Sequence, residues 1–285
     1  MNVKEVNIAL NVGDQLTSTS CGHVVVELIK FIAYQRLQIP YTYQWLKQIV
    51  NKKILSEDCS VKGNLQSERH FRIVSTALHN LDSMLKSLLQ EISGASMPQE
   101  VCITLGATPV TCKEVYRFIL PTLCHKPQCQ SELILKDNKL QTSVFRRLVT
   151  SEDLSQAFSS PLPPTNMHVF LKKKLIRQQT ELIVNSDNFL PASGSRIPKS
   201  SRVFVIDFRA QNEENVSCCN EFAIFGDGLS DAMAKMQVTG NTDDAEFCKI
   251  QSTDEVKWYQ STYVMKGFKD CIINGSSVTN TWIES

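Results

Sequence analysis

No stretch of this chain is apolar for the roughly 20 residues that a membrane-spanning helix needs. The N-terminus shows no basic-then-apolar pattern of a secretion signal, so an intracellular protein is expected. Neither sign of charge is in excess, with 30 Lys and Arg against 29 Asp and Glu. A polybasic run is also missing, Lys172-Lys173-Lys174 being too short to argue from, so neither nucleic acid nor a membrane is an expected partner. The nucleophile elbow, the P-loop, the dinucleotide fingerprint and His-Glu-x-x-His are all absent. Gly226-Asp227-Gly228 serves a tight turn equally well. Five histidines are scattered, and His70 and His79 fall on helical stretches where a structural role is expected. No catalytic residue and no cofactor are assigned.

Ten cysteines without a secretion signal read as reduced thiols rather than a disulfide framework. Their spacing is irregular and no Cys-x-x-Cys occurs. Cys124-His125 with Cys129 comes closest to a metal half-site, but no matching second half accompanies it, so no metal ligands are assigned. Cys218-Cys219 reads as loop and strand rather than redox chemistry. Asn215-Val216-Ser217 and Asn274-Gly275-Ser276 fit a glycosylation triplet that an intracellular chain does not use.

The strongest local feature runs from Thr19 to Lys53. Ser18, Thr19 or Ser20 offers an N-cap oxygen, Val25, Leu28, Ile29 and Ile32 share one helical face, and Pro40 ends the element. A second helix carries Phe71, Val74, Leu78, Leu81, Leu85, Leu88 and Ile92 in steps of three and four. That repeat is short for a coiled coil, and Ala77, Met84 and Leu89 widen the stripe into the face of a central core helix stopped at Gly94. Val101–Leu105 reads as a buried strand. Thr111-x-x-Glu114 reads as a capping box opening a helix with Val115, Phe118 and Ile119 inside. Another helix is predicted from about Leu140 to Phe158, ended by Pro161, Pro163 and Pro164. Strands follow at 167–171, 181–184, 203–208, 221–225 and 256–264, rich in β-branched and aromatic residues. Helices first and strands later predict an α+β fold, helices packed on a largely antiparallel sheet.

Several short segments also occur in a telling order. Tyr34-Gln35-Arg36-x-Gln38-Ile39-Pro40 is followed by Tyr43 and Leu46-Lys47. Then come Ala77-Leu78-His79-Asn80-Leu81, Leu105-Gly106 with Lys113-Glu114-Val115-Tyr116, and Arg146-Arg147-Leu148 with Ala157-Phe158 and Pro163-Pro164. Lys266-Gly267-Phe268-Lys269 closes the series. In this order they resemble the comet family of HORMA-fold proteins, partners of the Mad-two spindle-checkpoint protein. The resemblance implies one HORMA-like domain over 16–270 and a C-terminal segment resembling the safety belt, and the Gly-, Asp- and Thr-rich residues 226–246 read as a loop. Residues 1–15 are then an N-terminal tail. Residues 271–285 form an extension, either a disordered tail or a further docking motif.

The resemblance further implies a non-enzymatic adaptor. Such a protein binds the closed conformer of Mad-two and presents it to a hexameric AAA+ ATPase, which returns it to the open form and so silences the checkpoint. It would work in nucleus and cytoplasm, at the spindle or kinetochore in mitosis. Gln35 matches the family's partner-contacting glutamine, flanked by Tyr34 and Arg36. The second contact falls on the Arg146-Arg147-Leu148 helix. Here Val149 stands where the family has phenylalanine, so either the partner's pocket is smaller or Phe145 takes the role. For the ATPase, Pro191 and Ala192 occupy the family's Pro-Lys segment, and Lys199 is the nearest lysine that a shift would supply. The rival is a HORMA protein that clamps a partner's peptide, as meiotic-axis or polymerase subunits do.

Overall fold

The computed structural model describes residues 5–12, 16–56, 64–94, 96–122, 137–174, 188–192, 197–209 and 256–284. The strands read at 181–184 and 221–225 lie outside the described residues, as do the 226–246 loop, the Cys124-His125-Cys129 group, Cys218-Cys219 and the Asn215 triplet.

The helices are α1 (Ser18–Gln35), α2 (Tyr43–Ser56), α3 (Leu65–Ser93), α4 (Asp137–Val149), α5 (Glu152–Ser159) and α6 (Val278–Glu284). The main strands are β1 (Glu5–Ala9), β2 (Glu100–Gly106), β3 (Cys112–Ile119), β4 (Asn166–Lys174), β5 (Phe189–Pro191), β6 (Arg202–Asp207), β7 (Val256–Ser261) and β8 (Met265–Lys266). They form one sheet in the order β1-β6-β3-β2-β4-β7-β5, with β8 also on β4. Among the described residues only β6 pairs in parallel, with β1 and β3, and the remaining ladders are antiparallel. The α+β fold expected from the sequence is therefore the one observed. Val101, Ile103, Tyr116, Phe118, Val169, Leu171 and Phe204 face α1 and α3 in one continuous core.

The local chemistry differs from the sequence reading in four places. Thr17 caps α1, not Ser18, Thr19 or Ser20: its hydroxyl accepts from the Ser20 amide at 3.0 Å while the Ser20 hydroxyl accepts from the Thr17 amide at 2.7 Å. This is a capping box one residue earlier than expected. Second, Glu114 opens no helix. Thr108 and Thr111 cap a single 3₁₀ turn at Pro109–Thr111, and Cys112–Ile119 is a central strand between β2 and β6. The buried Glu114 on the inner face and the buried Val115 on the outer one mask in the sequence the period-two alternation that would mark the strand. Gly106 sits at the bulge between these strands, where a Cβ would lie 2.3 Å from the Cys112 Cα.

Third, the long helix over 140–158 is two helices, because Ser151 caps α5 and Glu152 and Asp153 fill its first turn. Fourth, residues 5–9, read as part of a tail, form edge strand β1. The stripe of α3 is buried as a core face, and a fully buried Lys173–Glu91 pair at 2.6 Å ties α3 to β4.

The C-terminal segment runs antiparallel along β4, through β7 and then β8. Beyond it the chain makes a small hairpin, β9 (Ile272–Ile273) and β10 (Ser276–Ser277). Asn274 and Gly275, with φ of 51° and 81°, form the turn. Helix α6 then lays Trp282 on α3. Asp270 is the hub of this closure: it accepts from Tyr41 Oη at 2.7 Å, from the Cys271 amide at 2.9 Å and from Thr279 Oγ1. Its Oδ1 lies 3.6 Å from His70 Nε2.

Burial lowers the His70 pKa below its ordinary 6.5, an effect that Asp270 offsets only in part. A histidine that resists protonation when folded makes the unfolded chain bind more protons once pH falls below about 6.5, so stability falls with it. Burial alone would raise the Asp270 pKa, but hydrogen bonds from Ser277, Thr279 and Tyr41 outweigh it and hold the carboxyl below its ordinary range. Its contribution is present above the unfolded value near 4 and disappears only in stronger acid. Lowering pH from 7.5 to 5.5 should therefore reduce hydrogen-exchange protection over 265–282 while β2 and β3 stay protected. Equal protection at both pH values would refute this.

Candidate functional site

The segments that carried the resemblance converge on the end of α1. Arg36 is its C-cap, and the chain leaves in a Schellman turn, with Gln38 N–H donating to Ala33 O at 2.8 Å and Leu37 N–H to Tyr34 O at 3.0 Å. The guanidinium of Arg36 turns inward and is 2% exposed. It forks onto Glu114, Nε to Oε2 at 2.8 Å and Nη2 to Oε1 at 2.6 Å, and Nη1 donates to Ser160 O at 2.9 Å and Phe158 O at 3.3 Å. Tyr116 Oη donates to Glu114 Oε2 at 2.9 Å. One bidentate pair thus joins α1, β3 and the end of α5.

Gln38 makes the second pin. Fully buried, it donates Nε2 to Arg36 O at 2.6 Å, accepts the Thr165 amide on Oε1 at 2.7 Å, and accepts the Phe268 amide on its carbonyl at 3.0 Å. Gly267 N–H donates to Thr165 O at 2.8 Å, and a Cβ there would meet Gln38 Oε1 and Thr165 O, each at 2.8 Å. Gly267 in the closing Lys-Gly-Phe-Lys segment is therefore the close approach that stitches the C-terminal strand to the α1 turn.

Between the pins the surface is presented outward. Tyr34, Gln35 and Leu37 are exposed. Leu37 has φ of 54°, the left-handed region that favours glycine, at a cost of about 1–2 kcal/mol for a side chain there. Arg36 belongs below this surface rather than on it. The reading of Arg36 as a flanking contact is corrected by its burial: the side chain is 2% exposed, and four of its N–H groups are spent on one carboxylate and two carbonyls.

Helix α4 lies beside α1. Phe31, one turn before Gln35, meets Phe145 edge-on at 6.1 Å and Phe158 at 6.3 Å. Phe145 is accordingly half-buried against the core, whereas Val149 one turn later is 62% exposed. Arg146 is exposed, and Arg147 donates to Leu10 O, holding α4 to the end of β1. Of the alternatives for the apolar contact, Val149 is the one whose side chain is free at the surface.

The three residues read for an ATPase lie at β5 and on the turn before β6. Pro191 is exposed on edge strand β5, and Ala192 donates its amide to Trp258 O at 2.9 Å while its methyl packs against Cys102, Cys112, Val115 and Phe170. Lys199 is exposed on the turn before β6. Among the described residues no group of three His, Cys, Asp or Glu side chains is placed to hold a metal.

Sequence reasoning missed Leu37 and Gln38 as individuals. The motif order contained Gln38 without revealing its role, and nothing in a leucine announces a left-handed backbone. Comparison with known proteins gives a family model described as "p31comet: Mad1 and Cdc20-bound-Mad2 binding", which matches residues 6–206. A Mus musculus protein named MAD2L1-binding protein is 28% identical over 184 residues, 64% of this chain and 62% of its own length. A Homo sapiens protein of the same name is 28% identical over 186 residues, 64% of this chain and 63% of its own length. The chain thus matches a little over three fifths of the length of these curated relatives.

Proposed function

The chain belongs to the p31comet family, whose model spans residues 6–206, and from that membership we propose that it is a Mad2-binding adaptor that hydrolyses nothing itself. It binds Mad2 in the closed conformer and presents it to a hexameric AAA+ ATPase for return to the open form, silencing the mitotic checkpoint. The family match is the observation that carries this reading. The relatives' names, which state MAD2L1 binding, support the choice of partner.

The physical task is discrimination. A ligand moves a conformational equilibrium only by its differential affinity for the two states. Gln35 suits that task, since an exposed amide both donates and accepts and can pair with backbone edges that only one conformer presents. It stands on a helix end pinned by Arg36 and Gln38, so little ordering entropy is lost on docking. Tyr34, Arg146 and Val149 extend the surface. Pro191, Ala192 and Lys199 remain the proposed ATPase contacts, and the protein would act in nucleus and cytoplasm and at the spindle or kinetochore in mitosis. The peptide-clamp alternative requires the strand beside β4 to be free. Here β7 and β8 occupy it over Phe170–Lys174 and Asn166–Met167, which favours the adaptor.

The test is binding of the full chain to Mad2 locked closed or locked open. Closed-only binding is expected, and Gln35→Ala should weaken it about tenfold, the loss from leaving a buried partner group unpaired. Melting temperature should not change, because the replaced side chain is exposed. Equal binding to both conformers, or to neither, sinks the proposal.

A further inference from the structure

We infer that Leu37 is an apolar anchor for closed Mad2, placed beside the Gln35 contact; the inference rests on the adaptor reading and deepens it. Leu37 is the C′ residue of the turn that ends α1, a position usually given to glycine because its backbone is left-handed. A leucine there works against folding, and its side chain joins no core contact that would offset this. It is 53% exposed and is neither in the core nor among the partly buried apolar side chains packed against it.

The surroundings hold it in this conformation from both sides. Arg36 is fixed by Glu114 and the carbonyls of Phe158 and Ser160, and Gln38 by Ala33, Thr165 and Phe268. A strained residue persists when neighbours over-determine it, and such residues collect at ligand contacts. The alternation is informative. Arg36 and Gln38 point in as polar pins, while Gln35 and Leu37 face out as an amide and an apolar group on one rigid turn. Gln35 offers hydrogen bonds that choose a conformer, and Leu37 offers area that desolvates them. An apolar rim that excludes water strengthens an adjacent polar contact. The occupant is closed Mad2, Mad2 being the partner named in the description of the matching family model, with Leu37 meeting apolar surface beside the group that pairs with Gln35.

The experiment measures affinity of the full chain for Mad2 locked closed, together with melting temperature, for wild type, Leu37→Asn and Leu37→Met. Asparagine tolerates the left-handed region and removes the apolar group. It should weaken binding about tenfold or more with a melting temperature equal to or above wild type. Methionine keeps the apolar area and should bind within about threefold of wild type. Wild-type affinity in Leu37→Asn overturns the inference while leaving the adaptor reading intact. A lower melting temperature in Leu37→Asn overturns it too, by making Leu37 a folding residue. No binding by the wild type overturns both.

Discussion

Arg36→Met is expected to destabilise the protein by about 3–5 kcal/mol, the cost of leaving one partner of a buried ion pair behind. Methionine matches the stem of arginine and fills much of its volume, so the loss isolates the guanidinium. Without it, Glu114 keeps a single hydroxyl donor from Tyr116 in a site of almost no exposure, and the carbonyls of Phe158 and Ser160 lose theirs. Urea unfolding measures the effect, and the pair Arg36→Met with Glu114→Leu completes a double-mutant cycle. The double variant should recover part of the single loss, since removing both charges removes the unpaired one. A loss under about 1 kcal/mol, combined with abolished Mad2 binding, would return Arg36 to the partner surface and overturn the burial argument.

That prediction turns on a distinction the sequence could not supply. A last-turn arginine ordinarily complements the helix dipole from the surface, and Tyr34-Gln35-Arg36 reads naturally as three neighbours with one task. The partner of Arg36 is Glu114, 78 residues away in the chain, and no local pattern connects them. The same limit explains β3. Val115, Phe118 and Ile119 satisfy helical spacing, and only the ladders to β2 and β6 make them a strand. In contrast, the inner face of α1, the stripe of α3 and the strands at β2, β4 and β6 depend on spacing and composition within one element, and these were legible.

The candidate site divides along the same line. Gln35 and Val149 could be singled out from the resemblance, and the structure places both at the surface. Phe145 could not be separated from Val149 by residue type, because burial is decided by Phe31 on another helix. The order of short segments proved to have a physical basis. Four of them, ending at Arg36 and Gln38, at Glu114 and Tyr116, at Phe158 and at Gly267, meet in one hydrogen-bonded network under the exposed turn.

Trp282→Ala should cost about 3–5 kcal/mol and lower the melting temperature by on the order of 10 °C. A sequence extension past Lys269 gives no reason to expect this, since a tail contributes nothing to a core. In the structure, however, the indole is buried, edge-on to Phe71 at 5.3 Å and tilted over His70 at 5.6 Å. Its Nε1 donates to Ser67 Oγ at 2.9 Å. Truncation to alanine opens a cavity between α6 and α3 and leaves the Ser67 hydroxyl without that donor. The damage should also reach the Asp270 hub, because α6 carries Thr279 as well as Trp282. Trp282→Phe keeps an aromatic ring against Phe71 but removes the hydrogen bond and part of the indole's volume, so the loss should be smaller than for alanine, about 1–3 kcal/mol. If Trp282→Ala unfolds at the wild-type urea concentration, α6 does not close the fold and the extension acts as a docking motif. If it unfolds early, the C-terminal strand beside β4 is locked from behind. A peptide-clamping protein would need to release that strand, so early unfolding together with unimpaired binding to closed Mad2 below the melting point would separate the adaptor from the clamp.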